Sequence, residues 1–242
     1  MHSKKYLVKP HQCLEMKIKL GHYIAILFTT LVYLYAIIEK ALGWTDYSVK
    51  FVLRNNTIFI LVVLGVIYLI NKYFLKKDLN VFILRKEKFI IYLVVGLLLL
   101  STIYLINSIG RLTYYSWFTR DNNLPIHDTI REILDNKIYA FILLGPFVWF
   151  TEVFGVITKV FLLNSLWKLN KSKLWHWIGI VFVASLFALL QIDKGIADIL
   201  NVFLIVSISN IFYLKFRNSI PLIIATILYT TIDLISFWVY NY

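Results

Sequence analysis

Seven times between residues 22 and 240 the chain runs apolar for long enough to cross a bilayer, at about 22–38, 57–74, 89–109, 138–167, 174–191, 197–214 and 220–240. The hydrocarbon core is about 30 Å thick and needs about 20 helical residues. Within it a backbone must satisfy its own polar groups, which leaves helices or closed barrels. Runs this long, interrupted by only 4 prolines and 9 glycines in the whole chain, have the pattern of helices rather than of short alternating barrel strands. With 60% of residues hydrophobic, the expected fold is all-α, a polytopic helix bundle of about seven transmembrane helices in the cell membrane. The fourth run approaches thirty residues and must tilt, kink or project.

Basic residues orient such a bundle. Lys4, Lys5, Lys9, Lys17 and Lys19, then the connection between the second and third runs, then Lys168, Lys171, Lys173, Lys215 and Arg217 place sixteen on one side against eight on the other. The expected N-terminus is therefore cytoplasmic and the C-terminus extracytoplasmic. The net charge of +12 sits beside helix ends, where it meets anionic lipid headgroups. No soluble segment carries a basic stripe with stacking aromatics, so nucleic acid is not an expected partner. Membrane lipids are, and another membrane protein or a peptide is the further candidate. Cys13, the sole cysteine, excludes an internal disulfide, and the basic tail before the first run reads as an uncleaved signal anchor.

The expected organisation is a basic tail (1–21), three accessory transmembrane helices (22–110), an extracytoplasmic segment (111–137) and a four-helix core (138–242). Within 111–137, Ile126, Ile130, Ile133 and Leu134 recur at helical spacing after a turn at Asp121–Pro125, which predicts an amphipathic helix on the membrane surface.

Each core run carries a deep polar residue: Glu152, Gln191, Asn210 and Asp233, with Lys159 and Tyr229 beside them. A charge at mid-bilayer costs about 2.5–3.5 kcal/mol on insertion scales, so such residues mark sites or buried networks. Helical spacing puts Glu152, Gly155, Val156 and Lys159 on one face, and Thr226, Tyr229, Thr230 and Asp233 on another. Phe187 and Gln191 lie one turn apart, and Ser207 and Asn210 form a polar pair. Lipid cannot satisfy these faces, so they are expected to pack together. Every histidine (His2, His11, His22, His127, His176) falls in a tail, a loop or a span end.

The order Thr151-Glu152-Val153-Phe154-Gly155-Val156, Phe187-Ala-Leu-Leu-Gln191 and Tyr229-Thr-Thr-Ile-Asp233 resembles the motifs of the CAAX protease and bacteriocin-processing (CPBP, or Abi) family of intramembrane proteases. The family pattern is Glu-Glu-x-x-x-Arg, Phe-x-x-x-His and His-x-x-x-Asn/Asp on four consecutive helices, and the likeness covers about 138–237. It implies that Glu152 and Asp233 keep family positions, while Thr151 stands for the first glutamate, Val156 for the arginine, and Gln191 and Tyr229 for the two histidines. Glutamine and tyrosine are poor ligands for a borderline metal. The expectation is a non-catalytic relative without cofactor, binding or scaffolding through a retained pocket. Bacteriocin immunity or a cell-envelope role is what the resemblance implies. Glu152, Asp233, Tyr229 and Gln191 are the vestigial catalytic set, and Thr151, Lys159 and Asn210 are candidate binding residues. Two alternatives stay open: a divergent active endopeptidase using a divalent metal such as zinc, and a small-solute or ion transporter.

Overall fold

The structure, a computed structural model, describes residues 10–44, 52–75, 88–113 and 143–241. The expected surface helix around Ile126–Leu134 lies outside these residues. Among the described residues there are seven long helices and no strand. Helix α1 is Pro10–Ala41, and α2 is Thr57–Ile70 with π-helical turns at Val52–Asn56 and Asn71–Leu75. Helix α3 is Phe89–Leu112, and α4 is Val148–Leu169, preceded by the π-helical turn Leu143–Phe147. Then come α5 (Lys173–Leu189), a 3₁₀ turn at Ile192–Lys194, α6 (Ile196–Phe216) and α7 (Ile220–Asn241). Glu15–Ala41, Arg54–Leu75, Phe89–Leu112, Gly145–Leu169 and Ile196–Phe216 are long and apolar enough to cross a membrane; α5 and Ile220–Asp233 are shorter apolar helices. The chain is a helical bundle with the makeup of a multi-pass membrane protein.

Local chemistry explains the breaks. Pro146 lacks an N–H for the α-helical ladder, and the wide π turn around it absorbs the gap. The Ser172 hydroxyl caps α5 by accepting from the Trp175 N–H at 3.2 Å. Helix α6 ends on Arg217 in the left-handed region (φ 51°), and its guanidinium lies 4.7 Å from the Trp167 ring. Gly195 enters α6 at φ +100°, a conformation side chains rarely adopt. Helix α1 starts at Pro10, well before the first apolar run, so much of the basic tail is helical.

Packing arranges five of the seven helices in a closed ring, in the order α3, α7, α4, α5, α6 and back to α3. Helix α1 packs outside, on α4 and α5, and α2 packs on α1 and α4. A Tyr33–Thr158 hydrogen bond ties α1 to α4. The polar core expected from four helices therefore has five walls. Helix α3, expected to be an accessory span, is inserted between the first and last elements of the C-terminal half. Its close approach to α7 depends on Gly96, where a Cβ would sit 2.9 Å from Ile224 Cγ2 and 3.2 Å from the Pro221 carbonyl oxygen.

Inside the ring, Leu99, Leu163, Val183, Tyr213 and Leu222 form one buried layer, one residue from each helix. Ile180, Leu166 and Trp167 continue the same apolar cluster away from the lumen.

Candidate functional site: a polar lumen in a five-helix ring

On the other side of that layer the ring encloses a cavity of about 800 Å³. Every wall contributes at helical spacing. Helix α3 offers Ile103, Asn107 and Arg111; α4 offers Glu152, Gly155, Val156 and Lys159; α7 offers Thr226, Tyr229, Thr230 and Asp233. Phe187 and Gln191 come from α5 and its end, and α6 lines the cavity from Asp198 through Asn201 and Ile205 to Ser209. Asp198 and Ser209 are eleven residues apart, so the lumen is about 16 Å deep at 1.5 Å per residue. Arg111 and Asp233 are exposed at the mouth, whereas Val156, Lys159 and Ser209 are buried at the floor. One turn below the floor lies the apolar layer, so the lumen is blind.

One turn below the mouth a hydrogen-bonded chain crosses three helices. Asn201 Nδ2 donates to Asn107 Oδ1 at 2.6 Å, and Asn107 Nδ2 donates to the Tyr229 hydroxyl at 2.9 Å. The Tyr229 ring rests 5.4 Å from that of Tyr104. At about that level Glu152 bonds the Thr230 hydroxyl, and Lys159 lies two turns below it on the same face of α4. Ser209, Thr226 and Thr230 donate to carbonyls of their own helices, four residues back, so their lone pairs remain for the lumen. At the mouth, Lys40 Nζ donates to the Leu190 carbonyl at 2.7 Å and lies 3.5 Å from Asp193 Oδ1. That contact anchors α1 to the turn carrying Gln191 and Lys194.

The structure thus brings Glu152, Gln191, Tyr229, Asp233 and Lys159 to one cavity and leaves two candidates outside it. Thr151 turns its hydroxyl to the Val148 carbonyl at 2.7 Å and does not line the lumen. One residue is about 100° of helical rotation, so Glu152 points in where Thr151 points out. Asn210 is fully buried between α6 and α5, its amide 3.4 Å from the Ile180 carbonyl, and acts as a packing contact. The α6 stripe runs through Asp198, Asn201, Ile205 and Ser209, not through Ser207 and Asn210. Asn107, Arg111, Asp198, Asn201 and Lys194 are lining residues that the reading of the sequence missed. His22, expected at a span end, is 2% exposed inside α1 and does not line the cavity.

A zinc ion does not fit this lining. No histidine or cysteine reaches it, and among the described residues no three His, Cys, Asp or Glu side chains are grouped to share a metal. Compared with known proteins, the chain matches no family model, no curated protein and no solved structure.

Proposed function

We propose that the protein is a non-catalytic, CPBP-like membrane protein that binds a polar ligand or peptide segment in the lumen of its five-helix ring. The observation that carries this reading is the meeting of Glu152, Gln191, Tyr229 and Asp233 in one blind cavity. These are the four positions that the resemblance brings together, and histidine is missing from both of its places. A site for acyl transfer needs a base, an orienting partner and an electrophile in mutual reach. Here Glu152 faces Lys159 and Thr230, and Tyr229 is held by Asn107. The basic residues favour a cytoplasmic N-terminus, which turns the mouth at Arg111 and Asp233 to the outer surface. Bacteriocin immunity and support of cell-envelope enzymes are the roles that fit an outward binding pocket.

Photocrosslinking from Val202, on the lumen wall, tests binding in native membranes. Adducts that disappear when Gly155→Trp fills the lumen support it, and adducts indifferent to that substitution overturn it. Cysteine labelling in a Cys13→Ser background tests sidedness; modification of residue 194 only from the inside reverses the orientation.

One observation favours a second reading, a divergent endopeptidase: Glu152, not Thr151, enters the lumen, in the place a general base would take. Cleavage of a membrane-inserted peptide that Glu152→Gln abolishes establishes that reading and removes the first.

A further inference from the structure

The lining of the lumen is electrically balanced, with Arg111, Lys159 and Lys194 against Glu152, Asp198 and Asp233. The charges are not spent evenly. At the floor, Lys159 is only 6% exposed and lines the cavity, yet its ammonium makes no hydrogen bond within the described residues. Its counter-charge, Glu152, acts on it through space from two turns away on the same face, without a contact ion pair. An ammonium has three donors to satisfy, and leaving buried charge without bonded partners is unfavourable. The lining around the two groups includes the hydroxyls of Thr226 and Ser209, whose protons go to carbonyls of their own helices and whose oxygens remain as acceptors, and that of Thr230, shared between the Thr226 carbonyl and Glu152.

We infer that the floor is built for a zwitterionic group, with an acid oxyanion of the ligand on Lys159 and its ammonium on Glu152 and the threonine hydroxyls. A lone anion would leave the balanced lumen with an uncompensated negative charge, and a lone cation with a positive one. A zwitterion satisfies both groups and keeps the sum at zero. The apolar positions at the same depth, Ile103, Val156 and Phe187, accommodate a hydrocarbon portion beside the charged head. Free amino acids or short peptides and the head of an aminophospholipid share this chemistry. The inference rests on the cavity's being a binding site, and the test separates the two.

Full-length protein in nanodiscs of phosphatidylcholine and phosphatidylglycerol is titrated with the dipeptide alanylleucine, its N-acetyl form and its C-terminal amide. In parallel, discs containing phosphatidylethanolamine are assayed by native mass spectrometry for lipid retained over phosphatidylcholine and phosphatidylglycerol. The free dipeptide is expected to bind at least ten-fold more tightly than either blocked form, or phosphatidylethanolamine to be retained at least ten-fold over the other lipids. The first result assigns a soluble ligand and the second a lipid. The double substitution Glu152→Gln/Lys159→Gln removes both charges together and is expected to abolish the preference in either arm. If that variant fails to fold, the exchange Glu152→Lys/Lys159→Glu, which keeps both charges, replaces it and is expected to retain the preference.

Equal binding of free and blocked dipeptides without lipid preference, a preference that survives the double substitution, one that the exchange abolishes in folded protein, or no binding in either arm overturns the zwitterion assignment. Binding that survives Gly155→Trp places the ligand elsewhere and overturns the cavity reading itself.

Discussion

The same five helices build two different interiors. On one side of the layer formed by Leu99, Leu163, Val183, Tyr213 and Leu222 they close on each other; on the other they stand around about 800 Å³ of space. In the closed half the side chains are large and apolar, and packing attraction holds the helices together. In the open half the wall positions are hydroxyls bonded to their own backbone, amides bonded across helices, and charges that need solvent or a ligand. A hydrated polar lumen can stay empty of side chains, whereas an apolar one of that size would collapse or be filled. The two halves therefore differ in what keeps them: the closed half by filling, the open half by bracing through Asn201, Asn107 and Tyr229.

The sharpest way to break this contrast is to put one charge into each half. Leu163→Asp leaves a carboxylate without a partner in the closed layer and is expected to destabilise by at least about 3 kcal/mol. Ser209→Asp, one turn above the layer on α6 and in the chamber of Lys159, is expected to cost less than about 1 kcal/mol. Reversible unfolding in mixed detergent measures both; equal losses would mean that the two interiors are not distinct.

Glycine substitutions come next. Gly96→Leu drives a side chain into Ile224 and the Pro221 carbonyl and is expected to lose about 2–3 kcal/mol by overpacking. Gly155→Leu meets nothing within 4 Å of its Cβ and should change stability by under about 0.5 kcal/mol. A loss at Gly155 as large as at Gly96 would indicate that the lumen is filled by neighbouring side chains.

The brace predicts a smaller effect. Asn107→Ala removes bonds to α6 and α7 together and is expected to cost about 1 kcal/mol, with a coupling to Tyr229→Phe of about 0.6–1.7 kcal/mol in a double-mutant cycle. Additive losses would show that the chain of amides does not brace the ring. Least of all, Ser209→Ala and Thr226→Ala should fall within about 0.5 kcal/mol, because each hydroxyl donates only to a carbonyl of its own helix.

How much of this could be read in the sequence differs from helix to helix. The faces of α4 and α7 were legible because their polar residues lie inside apolar runs, where the 3.6-residue period has contrast. The face of α6 was misread by one strip. Asp198 and Asn201 lie at the start of the run and resemble an ordinary helix boundary, so Ser207 and Asn210 drew attention instead. Asn107 and Arg111 were passed over for the same reason at the end of α3. Extending the period through such boundaries finds both strips: 198, 201, 205 and 209 on α6, and 103, 107 and 111 on α3. The ring itself was not legible. Its neighbours are not neighbours along the chain, and periodicity says which side of a helix is polar without saying which helix it faces.

The position of α7 in the ring bears on how the molecule is made. Helix α7, which leaves the ribosome after the other four ring helices, closes the gap between α3 and α4. Until it arrives, the polar strips of both flanking helices have no wall on that side, and Asn107 lacks the Tyr229 hydroxyl that receives its amide. The ring helices made before it must therefore wait with an unsealed seam. The completed ring is a product of late assembly, and release of the chain before residue 220 would leave that seam facing lipid.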